Sequence, residues 1–377
     1  MALQERYARI TGWGHYIPEK VLTNADLEKM VDTTDEWIIQ RTGIRERRVR
    51  SENDTNTSMS VAASQEAMKS AGITARDLDF IIVCTQTADY LLPGAGSQLQ
   101  AALGANCGAY QLVAGCSGWV YGATMATSLI KSGMYNTILV VGTELISYGL
   151  DYTDRSSCVL FGDASAATVF QVSEEPAGFL SFELGSDGEK GMALWVPGGG
   201  SINPMSHEVI DRSENFIRMN GREVFKFATR VVGASLKRVI AQAGLLPEDI
   251  DLYIPHQANA RIIEAGARLM RQPVEKFYMN VDKYGNTSAA SVPLAMIEAI
   301  EEGRIKDGDK IAVVAFGAGL TWGAAVIQIG AGEISPAHSL FSAGRARYMA
   351  KRTRETILDT TQAAMLPLYA WLKNRSR

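Results

Sequence analysis

Apolar and polar positions fall into alternating blocks along the chain. FIIVCT (80–85), TILVVGTE (137–144) and KIAVVAFGAG (310–319) are continuous apolar runs rich in β-branched residues and closed by Gly or polar residues. Runs of this kind suit strands buried on both faces. Between them, SMSVAASQEAMKSAG (58–72) and ATRVVGASLKRVIAQAG (228–244) carry helical spacing and end in Gly, a helix C-terminal signal. The alternation predicts an α/β layered fold.

The pattern also repeats. SAGITARDLDFIIV (70–83) matches QAGLLPEDIDLYIP (242–255) at an offset of 172 residues. LIKSGMYNTILVVGTE (129–144) resembles EAIEEGRIKDGDKIAVVAF (298–316), with Gly133 and Gly303 offset by 170. The echoes predict two related α/β halves, 1–180 and 181–330, with a pocket where they meet. Coincidence between generic helix–strand units is the alternative.

Composition changes this picture at one end. The 377 residues are 46% hydrophobic and 21% charged, an ordinary globular balance. The net charge of -4 gives no whole-chain nucleic-acid footprint. Residues 331–377, however, hold eight Lys and Arg against three Asp and Glu, a net of +5, and leave the first 330 residues at -9. Ile357, Ala364, Met365, Leu368, Trp371 and Leu372 have roughly helical spacing in this basic extension, and Pro367 would kink it. A helix on the chain's own body, a poorly ordered tail, a membrane surface or a protein contact all fit that pattern.

The four cysteines, Cys84, Cys107, Cys116 and Cys158, form no C-x-x-C pair and have no His nearby in sequence. This argues against a zinc site or disulfide framework and for reduced thiols in the cytoplasm. The N-terminal segment lacks a signal-peptide core, and no run of about 18 apolar residues suggests a transmembrane helix.

Five segments carry candidate chemistry. Cys116 follows a strand and Ala-Gly and precedes Ser-Gly and a long helix pattern. A thiol at a helix N-terminus has its thiolate stabilised; a buried structural Cys is the other reading. His256 follows the strand pattern DLYIP, at the strand end where open α/β sheets hold ligands; a hydrogen-bonded structural His competes. Asn286 in YGNTSAAS reads as a helix N-cap or as a functional amide. The turn FGAGLTWG (316–323) could aim backbone N–H groups at an oxyanion. Trp37 lies near Arg41, Arg45, Arg47 and Arg48, a set able to stack a base and pair with phosphates, or simply a solvated charged surface.

Together these segments resemble the thiolase-fold condensing enzymes, and within them the β-ketoacyl-[acyl-carrier-protein] synthase III family. The resemblance spans about residues 7–330 and rests on TDEWIIQRTGIRERR, the GCSG turn, TDRSSCVLFGDASAA, PHQANARI, YGNTSAAS and FGAGLTWG, in that order. It implies a thiolase-like layered αβαβα core. It further implies a Cys116, His256 and Asn286 catalytic set, with an oxyanion hole from the backbone N–H groups of Cys116 and Ala318, where the family often has Gly. Trp37, Arg41, Arg155 and Asn259 match coenzyme A-binding positions. Lys226, Gln257, Arg261 and Arg268 match positions that receive an acidic carrier protein, although Leu269 stands where the family can have another base. Leu92 matches a loop residue that closes the acyl pocket across a homodimer.

The implied reaction has two stages. Cys116 takes an acyl group from acyl-CoA, and a malonyl group on carrier protein then loses CO2 and condenses with it, without metal or other cofactor. The alternative is a relative serving polyketide or other secondary metabolism.

Overall fold

The computed structural model describes residues 6–330, which lie in one compact unit, Met1–Ile334. The basic extension at 331–377 lies outside the described residues. Nine strands form one sheet: β1 (Tyr7–Tyr16), β2 (Phe80–Cys84), β3 (Gly108–Leu112), β4 (Thr137–Leu145), β5 (Asp163–Ser173), β6 (Gly178–Ser186), β7 (Leu252–Pro255), β8 (Lys310–Gly317) and β9 (Thr321–Gln328). The helices that build the layers are α1 (Asp35–Thr42), α2 (Asn56–Ser70), α3 (Ala95–Leu103), α4 (Gly118–Lys131), α5 (Gly221–Gln242), α6 (Ala260–Met270) and α7 (Ser291–Glu301).

The strand order is β7-β8-β9-β6-β1-β5-β4-β2-β3. Outward from the centre, β6-β9-β8-β7 repeats β1-β5-β4-β2 in order, and β3 is an extra edge strand. The pairings repeat too. β2 runs parallel to β4 and β7 parallel to β8, whereas β5 and β9 are antiparallel to both neighbours. The halves join through one pair, Ala8 opposite Gly178. Gly178 begins β6, so a boundary at residue 180 would cut a strand; the connection is the short link before it.

Period-2 alternation explains why the strands are apolar throughout. In β2, Ile82 and Cys84 face α4 and α7, which form the middle layer and meet β2 and β4 of one half and β7 and β8 of the other. Ile81 and Val83 face the other way, against α2 and α3. In β8, Val313 and Ala315 join the middle layer, while Ala312 and Val314 meet α5 and α6. The result is helix, sheet, helix, sheet, helix. Each fully buried Ile, Val or Leu contributes about 1.5–3 kcal/mol.

Helix ends follow capping chemistry. Thr55 caps α2 by accepting from the Ser58 N–H at 3.0 Å. α5 begins seven residues before the apolar pattern does, because Asn220 caps it by accepting from the Glu223 N–H at 3.2 Å. Among the described residues, no helix is long and apolar enough to cross a membrane.

Candidate active site

Cys116 lies in a short turn, Gly115–Ser117, that runs directly into α4. Gly115 has φ +55°, and a Cβ there would sit 2.6 Å from the Ala318 backbone nitrogen. A Cβ on Gly317 would sit 2.3 Å from the Cys116 nitrogen. Only glycines allow these two backbone turns to touch. Hydroxyls tie them together: Ser117 Oγ lies 2.8 Å from Thr321 Oγ1, whose own proton can go to the Ala114 carbonyl at 2.8 Å or the Ala318 carbonyl at 3.0 Å.

His256 follows the last residue of β7, and its N–H donates to the Val314 carbonyl at 2.7 Å. Its Nδ1 makes a short hydrogen bond with Ser291 Oγ. The Gln257 N–H donates to the same Ser291 oxygen at 3.4 Å. A hydroxyl that accepts there is free to donate its own proton to Nδ1, which leaves the proton of the neutral ring on Nε2. Burial favours that neutral ring, lowering the His256 pKa to about 3.

Asn286 does not cap a helix, because α7 starts only at Ser291. Its loop is pinned by its own N–H donating to the Leu160 carbonyl and by Gly162 donating back to Asn286 O. The Asn286 Oδ1 accepts from the Ser288 N–H at 2.9 Å. The amide is thereby oriented with its N–H2 toward Cys116, where it acts to lower the thiol pKa. The side chains of Cys116, His256 and Asn286 line one cavity of about 270 Å³, together with Phe316 and Gly317.

Three expectations meet corrections here. Cys116 does sit at a helix N-terminus, yet burial outweighs that effect and pushes its thiol up to about 12, despite hydrogen bonds from Ser288 and Asn286. Arg47 is buried rather than facing a ligand, and it donates to the carbonyls of Leu22 and Val159 and to Asn24 Oδ1. Gln257 is 1% exposed and unable to meet a carrier protein. Its Nε2 donates to the Pro255 and Tyr278 carbonyls, and its Oε1 accepts from the Asn280 N–H, so it braces the backbone beside His256.

The outer end of the cavity is lined by Trp37, Arg41 and Asn259. The guanidiniums of Arg155 and Arg41 lie 5.1 and 5.8 Å from the Trp37 ring centre. Arg155 also donates to the Asp32 carbonyl at 2.8 Å. Asn259 caps α6 and donates one amide N–H to the Arg41 carbonyl, so a single amide N–H is left. Lys226, Arg261 and Arg268 are exposed on α5 and α6. Leu92 is 87% exposed beside Leu91 at 92%, and it does not line this cavity. The polar loop at 198–215 does not line it either, although Leu194, Met219 and Gly221 on its flanks do.

Sequence reasoning missed Glu144 and Ser288. Glu144 is the next-to-last residue of β4 and is fully buried, and its carboxylate accepts from Thr87 Oγ1 at 2.7 Å and the Gln86 N–H at 3.2 Å. A carboxylate near the end of a largely apolar strand buried on both faces was the available signal.

This chain is 48% identical over 323 residues to a β-ketoacyl-[acyl-carrier-protein] synthase III from Roseiflexus sp. (strain RS-1), covering 85% of this chain and 98% of that protein. The chain belongs to the β-ketoacyl-[acyl-carrier-protein] synthase III family. It is an acyl-transferring condensing enzyme of fatty acid biosynthesis. Family models for 3-oxoacyl-[acyl-carrier-protein] synthase III and its C-terminal region match residues 110–188 and 240–329. The crystal structure of the Thermus thermophilus synthase III superposes with a TM-score of 0.81 at 43% identity, covering 86% of this chain and all of that one. The priming β-ketosynthase of the R1128 polyketide pathway also reaches a TM-score of 0.81, at 30% identity over 88% of this chain and 98% of that one.

Proposed function

We propose that this synthase condenses a short acyl-CoA primer with malonyl-carrier protein through an acyl-Cys116 intermediate. The observation that carries this reading is the convergence of Cys116, His256 and Asn286 on one buried cavity whose other end is lined by Trp37 and Arg41. In the first stage the Cys116 sulfur attacks the primer thioester and CoA leaves as its thiol. The backbone N–H groups of Cys116 and Ala318, in turns that touch, stabilise the tetrahedral oxyanion. In the second stage the malonyl thioester loses CO2. The His256 Nε2–H and the Asn286 amide donate to the thioester oxygen as it becomes an enolate. The enolate carbon attacks the acyl-Cys116 carbonyl, and collapse of that adduct expels the Cys116 thiolate.

Trp37 stacks the adenine, and Arg41 and Arg155 meet the nucleotide phosphates. The remaining amide N–H of Asn259 serves the pantetheine arm. Lys226, Arg261 and Arg268 attract the acidic carrier protein. A homodimer places Leu92 over the partner's acyl pocket; the exposed run Tyr90, Leu91 and Leu92 supports that role, since adjacent exposed apolar residues mark contact sites. The enzyme works in the cytoplasm.

The test is intact-protein mass after exposure to a panel of acyl-CoAs, wild type against Cys116→Ala. A Cys116-dependent gain from acetyl-CoA or a short branched acyl-CoA supports the reading and identifies the primer. Gains only from long or unusual donors move the enzyme to secondary metabolism. No gain from any donor overturns the acyl-CoA primer.

A further inference from the structure

Cys116 meets a second set of groups, Ser288, Glu144 and Gln86, that do not line the cavity. Ser288 Oγ lies 3.4 Å from Cys116 Sγ and 3.5 Å from Glu144 Oε1. The Gln86 side-chain amide donates to the same hydroxyl oxygen at 3.4 Å. Ser288 is fully buried, with φ +51°, and is held by the Asn286 side chain through its own N–H. Glu144 is fixed in turn by Thr87, whose hydroxyl oxygen accepts from the Leu145 N–H at 2.9 Å. The hydrogen bonds that Glu144 receives come from neutral donors.

One hydroxyl proton cannot serve two acceptors at once. With Glu144 ionised, the Ser288 O–H points to the carboxylate and its lone pair faces the thiol. With Glu144 protonated, the acid donates to Ser288, and the Ser288 O–H points to sulfur. The two arrangements are the two ends of one proton transfer.

We propose that Ser288 and Glu144 form a proton relay that takes the Cys116 thiol proton during acyl transfer and returns it at the end of the cycle. The proposal rests on Cys116 being the nucleophile. The thiol proton passes to Ser288 Oγ as the Ser288 proton passes to Glu144 Oε1, leaving a thiolate and a neutral carboxylic acid. The departing CoA thiolate takes a proton from water. After condensation, the expelled Cys116 thiolate recovers the stored proton from Glu144 through Ser288. One proton is consumed overall, the one on CoA, and it matches the charge lost when malonyl carboxylate leaves as CO2.

Burial raises both partners, the thiol to about 12 and the Glu144 carboxyl to about 8, so Glu144 takes the proton only in its ionised fraction, which grows as pH rises toward 8. The transfer runs uphill on its own and is drawn forward as acylation consumes the thiolate. The titratable groups that face Glu144 are Cys116, Cys84 on β2, Asp163 on β5 and Tyr148; Arg50 acts on Asp163 and Tyr148. Cys84 is raised by burial and stays a neutral thiol. Ser288 touches the reacting sulfur, whereas Glu144 acts through it. Long separations of this kind tighten when substrate arrives.

The test is the rate of Cys116 alkylation by iodoacetamide against pH, followed by mass on the full chain. Wild type is compared with Glu144→Gln, Glu144→Asp and Ser288→Ala. The expected result is a reactivity rise displaced to higher pH in Glu144→Gln and Ser288→Ala, with at least about tenfold slower alkylation near neutrality. Glu144→Asp recovers part of the rate. Unchanged pH profiles in folded Glu144→Gln and Ser288→Ala overturn the relay. Should Glu144→Gln fail to fold, Ser288→Ala decides alone, because alanine removes one oxygen and keeps the Cβ. Alkylation needs no acyl-CoA, so a protein that no acyl-CoA loads breaks the functional reading separately. Loading by acyl-CoA with an unchanged alkylation profile breaks the relay alone.

Discussion

The floor of the cavity and its rim are built on opposite principles. On the floor, the polar side chains are hydrogen-bonded to one another and to buried backbone. Ser288 meets Cys116, Glu144 and Gln86, Ser291 meets His256 and the Gln257 N–H, and Asn286 is held through Ser288. On the rim, Lys226, Arg261 and Arg268 are exposed charges with loose partners, such as the Arg268–Glu264 pair at 3.9 Å. Buried polar networks are costly to disturb because an orphaned group loses its solvation outright. Exposed ion pairs are worth little, and salt screens them. Chemistry that must hold atoms within tenths of an ångström sits on the floor. Recognition that must form and dissolve sits on the rim.

The strongest way to sharpen this comparison is to cut a donor at the floor. Asn286→Ala and His256→Ala should each slow condensation by on the order of 100- to 1,000-fold, the cost of removing one preorganised oxyanion donor. Both should still acylate at Cys116. Mass spectrometry of the trapped acyl-enzyme beside turnover assays checks the split, and equal loss of both half-reactions would contradict it.

Gln257→Leu attacks the floor through stability. It strands the Pro255 and Tyr278 carbonyls and the Asn280 N–H, each costing about 1–3 kcal/mol if left dry. Thermal melting should fall by several degrees, with carrier-protein affinity of the folded fraction unchanged. A loss of affinity without a loss of stability would restore Gln257 to the docking surface.

Glu144 gives the floor a pH signature. Its folded pKa, about 8, lies above the unfolded value, so the folded state holds the extra proton and is favoured at low pH. That advantage is lost as pH rises through about 8. Glu144→Gln should lack this slope, so its melting temperature relative to wild type should climb as pH rises. A difference that is flat with pH would show Glu144 to be ionised throughout.

The rim should respond more weakly. Trp37→Ala should raise KM for acyl-CoA by about tenfold with kcat nearly unchanged, since base stacking is worth ~1–3 kcal/mol and acts on ground and transition states alike. Arg268→Glu should slow carrier-protein association a few-fold at low salt and lose its effect at high salt. A salt-independent loss would mean that Arg268 makes a desolvated contact and belongs to the floor's regime.

The apolar runs at 80–85, 137–144 and 310–319 and the Gly-closed helices by themselves determined the layered α/β fold. Buried strands and amphipathic helices write their periods directly into sequence. Motif order was enough for the family and for Cys116, His256 and Asn286 as candidates. What sequence could not supply was the environment of each group. Gln257 sits in a motif, and only tertiary contacts turn it into a brace. Arg47 lies among guanidiniums in sequence and among buried carbonyls in space. The Cys116 thiol meets a helix end, as its neighbours predict, but its acidity follows burial. Ser288 and Glu144 are separated by 144 residues and meet only after β4 and the loop preceding α7 have packed. Local patterns record which element a residue joins. Solvation and partners depend on contacts between distant segments, and those exist only in the folded chain.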